Sequence, residues 1–70
     1  MNIKNIREKK MLTQEQLAAK IGVTQGTVSA WEVGFWEPSL YNTKKLASAL
    51  EVSVDELLAD PEPVKETNEL

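Results

Sequence analysis

The residues that start and stop helices recur at short intervals along this chain, and this spacing limits the fold more than any other feature. Thr13 and Gln16 have the T-x-x-Q spacing of a capping box, in which the hydroxyl and the amide each bind a backbone N–H that the helix leaves unpaired. Gly22 follows, and glycine tolerates the left-handed conformation in which many helices end. The sequence therefore predicts a helix of about two turns between Thr13 and Gly22.

Four more short helices are predicted from signals of the same kind. A first helix ends at about Lys10, ahead of the capping box. Another covers about residues 25–33, between the N-cap residue Thr24 and Gly34. The two remaining helix starts are Ser39 and Ser53. The chain is therefore predicted to be all-α, with five helices and no internal repeat.

Apolar residues at helical spacing mark the side that each helix is predicted to bury. Leu17 and Ile21 are four residues apart, and Val28 and Trp31 are three apart, so each pair lies on one helix face. Trp31 is accordingly predicted to belong to the core and not to a surface on which bases stack. For the fourth helix, the predicted buried side consists of Leu40, Thr43, Leu46, Ala47 and Leu50.

The 70 residues include no His and no Cys. The chain therefore has no disulfide, no imidazole or thiolate metal ligand, no Cys nucleophile and no His general base. We expect a protein that is not an enzyme and needs no metal, cofactor or small-molecule ligand. No apolar run reaches the ~18 residues that a membrane helix needs, and the start lacks a signal-peptide core. A cytoplasmic protein without a membrane partner is the expectation.

Charge separates a basic start from an acidic end. Residues 1–20 hold five Lys or Arg against two Glu, whereas the whole chain has 8 Lys or Arg against 11 Asp or Glu. This overall acidity disfavours sequence-blind binding of polyanions, which depends on Lys and Arg. Residues 61–70 contain two prolines and no apolar periodicity. We therefore predict one domain over residues 1–60, followed by a disordered acidic tail over 61–70.

The most specific pattern in the sequence consists of spaced runs between Ile3 and Leu58. The runs are Leu12-Thr13-Gln14-Glu15-Gln16-Leu17-Ala18, Ile21-Gly22-Val23-Thr24, Val28-Ser29-Ala30-Trp31-Glu32-Val33-Gly34, Pro38-Ser39-Leu40, Leu46-Ala47, Ala49-Leu50, Val52-Ser53-Val54 and Asp55-Glu56-Leu57-Leu58. Together they resemble the Cro/phage-repressor-type, or XRE-like, helix-turn-helix family of DNA-binding transcriptional regulators. The resemblance implies a compact five-helix domain like that of lambda repressor, with the helix-turn-helix in the second and third helices and double-stranded DNA as the partner.

The resemblance also implies which residues meet DNA. The second helix of such a motif enters the major groove with its first side chains at the base edges, while the first helix lies on the backbone. An amide such as that of Gln25 can pair with the N6/N7 edge of adenine, and a threonine methyl can meet that of thymine. The implied base-reading residues are Gln25, Gly26, Thr27, Ser29 and Ala30. The implied backbone-binding residues are Gln14, Thr24, Lys9, Lys10 and Lys20.

Ordinary helix chemistry offers an alternative for four of the five backbone-binding residues. Gln14 is also a plausible first residue of a helix, and Thr24 is also an N-cap residue. Lys9 and Lys10 are also suited to the end of a helix, where solvated cations interact favourably with the helix dipole. These alternatives stay open at the level of sequence.

By resemblance, Arg7 and Glu32 form a partly buried ion pair. Both are therefore expected to be structural, and Arg7 is not counted among the residues that bind DNA.

The sequence departs from the family where members often carry Lys or Arg, in the recognition helix and in the loop after it. This loop holds Phe35 and Trp36 instead. Two exposed aromatic residues suggest a partner surface. The resemblance implies that this partner is a second copy of the chain, because family members commonly dimerise near this loop, so we expect a homodimer on a palindromic operator that acts as a repressor. The alternative for the loop is that Phe35 folds back on the core. The alternative for the function is a helix-turn-helix scaffold that binds another protein through Phe35 and Trp36.

Overall fold

The structure is a computed structural model, and it describes residues 1–59. These residues form five α-helices and no strand. The helices are α1 Ile3–Lys9, α2 Gln14–Ile21, α3 Gln25–Glu32, α4 Leu40–Leu50 and α5 Val54–Leu58. The prediction of an all-α chain with five helices is confirmed. The predicted domain boundary at residue 60 and the predicted tail over 61–70 lie outside the described residues.

Four of the helices begin at hydroxyl N-caps in the positions that the sequence predicts. The side chains of Thr13, Thr24, Ser39 and Ser53 each accept a hydrogen bond from the backbone N–H three residues further along. The capping boxes at Thr13 and at Ser53 are both complete. Because each such cap stabilises a helix by roughly 1 kcal/mol, these residues hold short helices that would be marginal alone.

The core is shared among all five helices. Ile3, Leu17, Val28, Leu46 and Leu57 are fully buried, one from each helix in chain order. The N–H of Asn2 donates to the carbonyl of Leu57 at 2.8 Å, which ties the start of the chain to α5. Trp31 is only 7% exposed, so its predicted place in the core is confirmed.

The predicted burial of Leu40 is wrong. Thr43, Leu46, Ala47 and Leu50 are buried as expected, but Leu40 is 68% exposed. Leu40 is the first residue of α4, and side chains on a helix tilt toward its N-terminus. At the first position this tilt directs the side chain past the end of the helix instead of onto the core.

Within residues 1–59, no helix is both long and apolar enough to span a bilayer. The longest, α4, has 11 residues.

Candidate nucleic-acid interface

A tight turn sets the angle between α2 and α3. Gly22 has a φ of +78° and a ψ of +32°, which is the left-handed conformation that an L side chain disfavours. The N–H groups of Gly22 and Val23 both donate to the carbonyl of Ala18, which closes the end of α2. Thr24 then caps α3 directly. Two short helices joined by a turn of this length form a helix-turn-helix.

A buried ion pair connects α1 to the end of α3. The Nε and Nη2 atoms of Arg7 donate to the two carboxylate oxygens of Glu32 at 2.6 and 3.2 Å, and Nη1 donates to the carbonyl of Leu12 at 2.7 Å. The two side chains are 10% and 3% exposed. The hydrogen bond with Glu32 raises the pKa of Arg7 despite the opposing effect of burial. Arg7 thus sits where the family resemblance implied, in the interior and not on an open surface.

Glu32 also orients two glutamines at the starts of α2 and α3. Gln14 Nε2 donates to Glu32 Oε1 at 2.8 Å, and Gln25 Nε2 donates to Gln14 Oε1 at 2.5 Å. The carboxylate can only accept, so the Gln14 amide must turn its NH₂ toward Glu32 and its oxygen toward Gln25. We call Gln14 and Gln25 the glutamine pair. The ion pair and the glutamine pair form one hydrogen-bond network, which extends from the interior to the exposed start of α3.

The hydrogen-bond network leaves the amide of Gln25 with two unused hydrogen-bonding groups. One N–H of its NH₂ binds Gln14, and the second N–H and Oε1 have no partner among residues 1–59. Adenine presents an N6 donor and an N7 acceptor in the major groove. One amide oxygen and one N–H are what a bidentate pair with that edge requires, so Gln25 can read adenine without releasing Gln14.

The hydroxyls of Thr24 and Thr27 lie 2.9 Å apart, and the Thr27 N–H donates to Thr24 Oγ1 at 3.2 Å. Thr24 is therefore the N-cap of α3, which was the alternative left open for it. Since one hydroxyl of the pair donates to the other, the pair keeps a single O–H for an outside acceptor. That acceptor can be a phosphate oxygen.

The remaining base-reading candidates form a nearly flat surface. Gly26 is exposed, and Ser29 and Ala30 are half-buried. A Cβ at Gly26 would have only Thr24 Oγ1 near it, at 4.0 Å, so the groove side of α3 has open space there. Small side chains let the helix backbone approach a groove closely, but they supply no charge.

The predicted lysines line clefts that Gln14 and Gln25 do not line. Lys9 and Lys10 are exposed at the end of α1 and line a cleft with Val52 and Ala59. Lys20 is six residues beyond Gln14 in α2, which is about 9 Å along the helix axis. No hydrogen bond or salt bridge recorded within residues 1–59 joins these lysines to the glutamine pair.

Exposed apolar residues follow α3 in a group that extends beyond the two aromatic residues that the sequence indicated. Phe35 is 73% exposed and therefore does not fold back on the core, and its ring centroid lies 5.4 Å from that of Trp36. We define the apolar surface as Val33, Phe35, Trp36, Leu40 and Tyr41, all more than half exposed. No sequence signal indicated Val33 or Tyr41 as part of this surface, and helical periodicity placed Leu40 inside.

Comparison with known protein families gives one match that covers most of the described chain. The model of a family described as helix-turn-helix matches residues 3–57. This range contains all of α1, α2, α3 and α4 and most of α5.

Named relatives are regulators of transcription. The chain is 37% identical to the HTH-type transcriptional activator BcrR of Enterococcus faecalis over 86% of its own length and 29% of the relative's. It is 38% identical to the cryptic phage CTXphi transcriptional repressor RstR of Vibrio cholerae over 86% of its own length and 54% of the relative's. The chain thus spans about half of these curated relatives, or less.

A solved structure has the same fold. The crystal structure of the hypothetical transcription factor NHTF from Neisseria superposes with a TM-score of 0.79 at 38% identity. The match covers 86% of this chain and 69% of the other.

Proposed function

Because this chain belongs to the helix-turn-helix family of transcriptional regulators, we propose that it binds an operator sequence-specifically with α3 in the major groove. The observation that supports the proposal is the hydrogen-bond network from Glu32 through Gln14 to Gln25. It presents a preoriented amide at the exposed start of α3. An amide that is already fixed loses less conformational freedom on binding than a free one.

In this proposal Gln25 reads an adenine through N6 and N7, and Thr27 lies beside it with its methyl group toward a thymine. Gly26, Ser29 and Ala30 let α3 approach the groove closely. A bidentate contact of this kind contributes roughly 1–3 kcal/mol of discrimination against other bases. With one such contact in each half-site, strong specificity depends on two half-sites bound together.

The phosphate contacts in this proposal come from the two helix starts that carry the glutamine pair. Gln14 binds a phosphate together with the free N–H groups at the start of α2, and the Thr24–Thr27 pair offers its remaining hydroxyl proton to another. We assign Lys9, Lys10 and Lys20 to further contacts with phosphates of the DNA backbone.

We further propose that a second copy of the chain covers the apolar surface. Five exposed apolar side chains between residues 33 and 41 are costly in water. They directly follow α3, so a dimer joined through Phe35 and Trp36 couples the positions of two recognition helices. A twofold dimer binds a palindromic operator whose half-sites are one turn of DNA apart, or ~34 Å.

The proposed output is repression in the cytoplasm by occupation of a promoter, which requires no catalytic step and no cofactor. The curated relatives include an activator and a repressor. Occupation of DNA by α3 is sufficient for repression, whereas activation needs a further contact with the transcription machinery.

One observation favours a second candidate function. α3 carries no Lys or Arg, and the apolar surface begins with Val33, the residue that follows α3 in the sequence. Both features fit a helix-turn-helix scaffold that binds another protein through Phe35 and Trp36.

Selection of bound fragments from a random-duplex pool at physiological salt separates the two candidates, because only a specific site outcompetes charge-driven binding there. We expect the wild type and the control Ser48→Ala to enrich one inverted repeat. Failure to enrich any sequence, with the helical content intact by circular dichroism, would favour the protein-binding scaffold.

A further inference from the structure

Four lysines border a run of three adjoining clefts on the domain. Lys9 and Lys10 line the first cleft, Lys10 and Lys20 the second, and Lys20 and Lys45 the third. Each cleft shares a lysine with the next, so the four residues form a continuous basic strip from the end of α1 to the middle of α4. We call these four residues the lysine belt.

Carboxylates of the described domain neutralise this belt only in part. The salt bridge recorded within residues 1–59 is that of Arg7 with Glu32, which does not involve the belt. Glu56 and Glu51 line the first and second clefts. Glu56 is already bound to the backbone N–H of Ser53 in a capping box. The belt therefore has an excess of positive charge.

The negative charge that would complement the belt is concentrated in one segment of the chain. Residues 1–59 contain seven Lys or Arg and seven Asp or Glu, so their formal net charge is zero. Residues 60–70 contain Asp60, Glu62, Glu66 and Glu69 against Lys65. The whole net charge of −3 thus comes from the last eleven residues.

The described part of the chain ends beside the belt. Ala59 lines the same cleft as Lys9 and Lys10. An extended chain covers at most about 3.3–3.6 Å per residue, so Glu62 can reach ~10 Å from Ala59 and Glu69 more than 30 Å. Lys10 and Lys20 line one and the same cleft. Residues 60–70 are therefore long enough to follow the belt from Lys10 to Lys20.

We propose that residues 60–70 dock on the lysine belt as a tethered polyanion and compete with DNA for it. The tether gives the segment an effective concentration of the order of mM, so weak ion pairs are sufficient. When DNA approaches, its phosphates must displace these carboxylates. The segment thereby lowers affinity for all DNA and leaves discrimination by Gln25 unchanged. The effect on DNA rests on the proposed function, whereas the docking itself does not.

The docking can be tested without DNA. Since the chain has no Cys, Asn68→Cys gives a single site for a nitroxide spin label in the full chain. We expect paramagnetic broadening of the backbone amide signals of Lys9, Lys10 and Lys20 at low salt, and its loss at 1 M salt. The amides around Phe35 serve as the internal control and should stay sharp. Absence of broadening at the belt overturns the proposal.

Mixing labelled and isotope-enriched chains separates docking within one chain from docking between two. In this mixture one set of chains carries the spin label and the other carries the isotope. If the broadening keeps its full strength, the segment docks on a second copy, and this overturns the intramolecular proposal. Broadening confined to doubly labelled chains supports it.

The competition is tested by neutralising the segment in the full chain with Asp60→Asn, Glu62→Gln, Glu66→Gln and Glu69→Gln. From the modest energy of exposed ion pairs we expect about tenfold tighter binding to a random duplex at low salt. The control variant neutralises the same number of carboxylates with Glu8→Gln, Glu15→Gln, Glu37→Gln and Asp55→Asn, none of which lines the three clefts. Equal gains in the two variants would show a general charge effect and overturn the competition. If neither variant binds DNA while the label shows docking, the proposed function fails and the docking stands.

Discussion

Removal of the Arg7 side chain should destabilise the domain far more than any change at an exposed cation. In Arg7→Ala, the Glu32 carboxylate keeps its charge at 3% exposure and loses two hydrogen bonds, and the carbonyl of Leu12 loses its donor. Breaking a buried ion pair by removing one partner costs about 3–5 kcal/mol. At roughly 0.05–0.15 kcal/mol per residue, a domain of this size has a total stability of about 3–9 kcal/mol. The variant should therefore lose most of its stability.

Urea unfolding followed by circular dichroism measures this loss. For a small domain the slope is about 1 kcal/mol per M of urea, so the midpoint of Arg7→Ala should fall by roughly 3 M. Lys4→Ala is the matched control, because Lys4 is an exposed cation on the same helix, and its change should stay within about 0.5 kcal/mol.

A double variant tests whether the cost comes from the unpaired charge. Arg7→Met combined with Glu32→Leu removes both charges, and replacement of a buried pair by apolar residues is often neutral. It should recover much of the stability that Arg7→Ala loses. An Arg7→Ala variant that unfolds at the same urea concentration as Lys4→Ala refutes the reasoning. Arg7→Ala that is fully stable and has lost DNA binding would make Arg7 a DNA contact instead.

Three further outcomes are expected. Trp36→Ala should weaken self-association in sedimentation equilibrium, whereas the control Leu58→Ala, an exposed apolar residue on α5, should not; equal effects contradict an interface at the apolar surface. Gly22→Ala should lower the free energy of unfolding by about 1–2 kcal/mol, because an L side chain disfavours a φ of +78°, and an unchanged urea midpoint contradicts this. Between pH 6 and pH 9 the free energy of unfolding should change little, because the chain has no His or Cys to titrate there. The pKa of Arg7 is raised in the folded state, so the stability that Arg7 contributes is complete at every pH below the ordinary pKa of arginine. A steep slope of the urea midpoint in that range would contradict the last prediction.

The helix starts were predictable because capping is a local property. Thr13 with Gln16 and Ser53 with Glu56 each satisfy backbone groups within one turn, so the sequence spacing alone specifies the contact. Leu40 shows where this kind of inference fails. Periodicity gives the face of a helix on which a residue lies, but burial also depends on whether a neighbour covers that turn.

The residues of the candidate site could be named from the sequence, but the hydrogen bonds that join them could not. Gln14 and Gln25 are eleven residues apart, and Glu32 joins them from the far end of α3. Only the angle between α2 and α3 brings the three together, and no spacing rule gives that angle. Resemblance to a family supplied the Arg7–Glu32 pair, because residues 25 positions apart carry no local signal of their contact.

In the proposed complex the Gln25 amide, held by Gln14, pairs with one adenine. The most direct measurement replaces each adenine of the selected half-site in turn with 7-deazaadenine, which has C–H in place of N7 and cannot accept a hydrogen bond. The wild type should lose about tenfold in affinity at one position, or ~1.4 kcal/mol, and Gln25→Ala should show no loss at that position. If no position is sensitive in the wild type, or if Gln25→Ala keeps the same sensitivity, Gln25 does not read adenine.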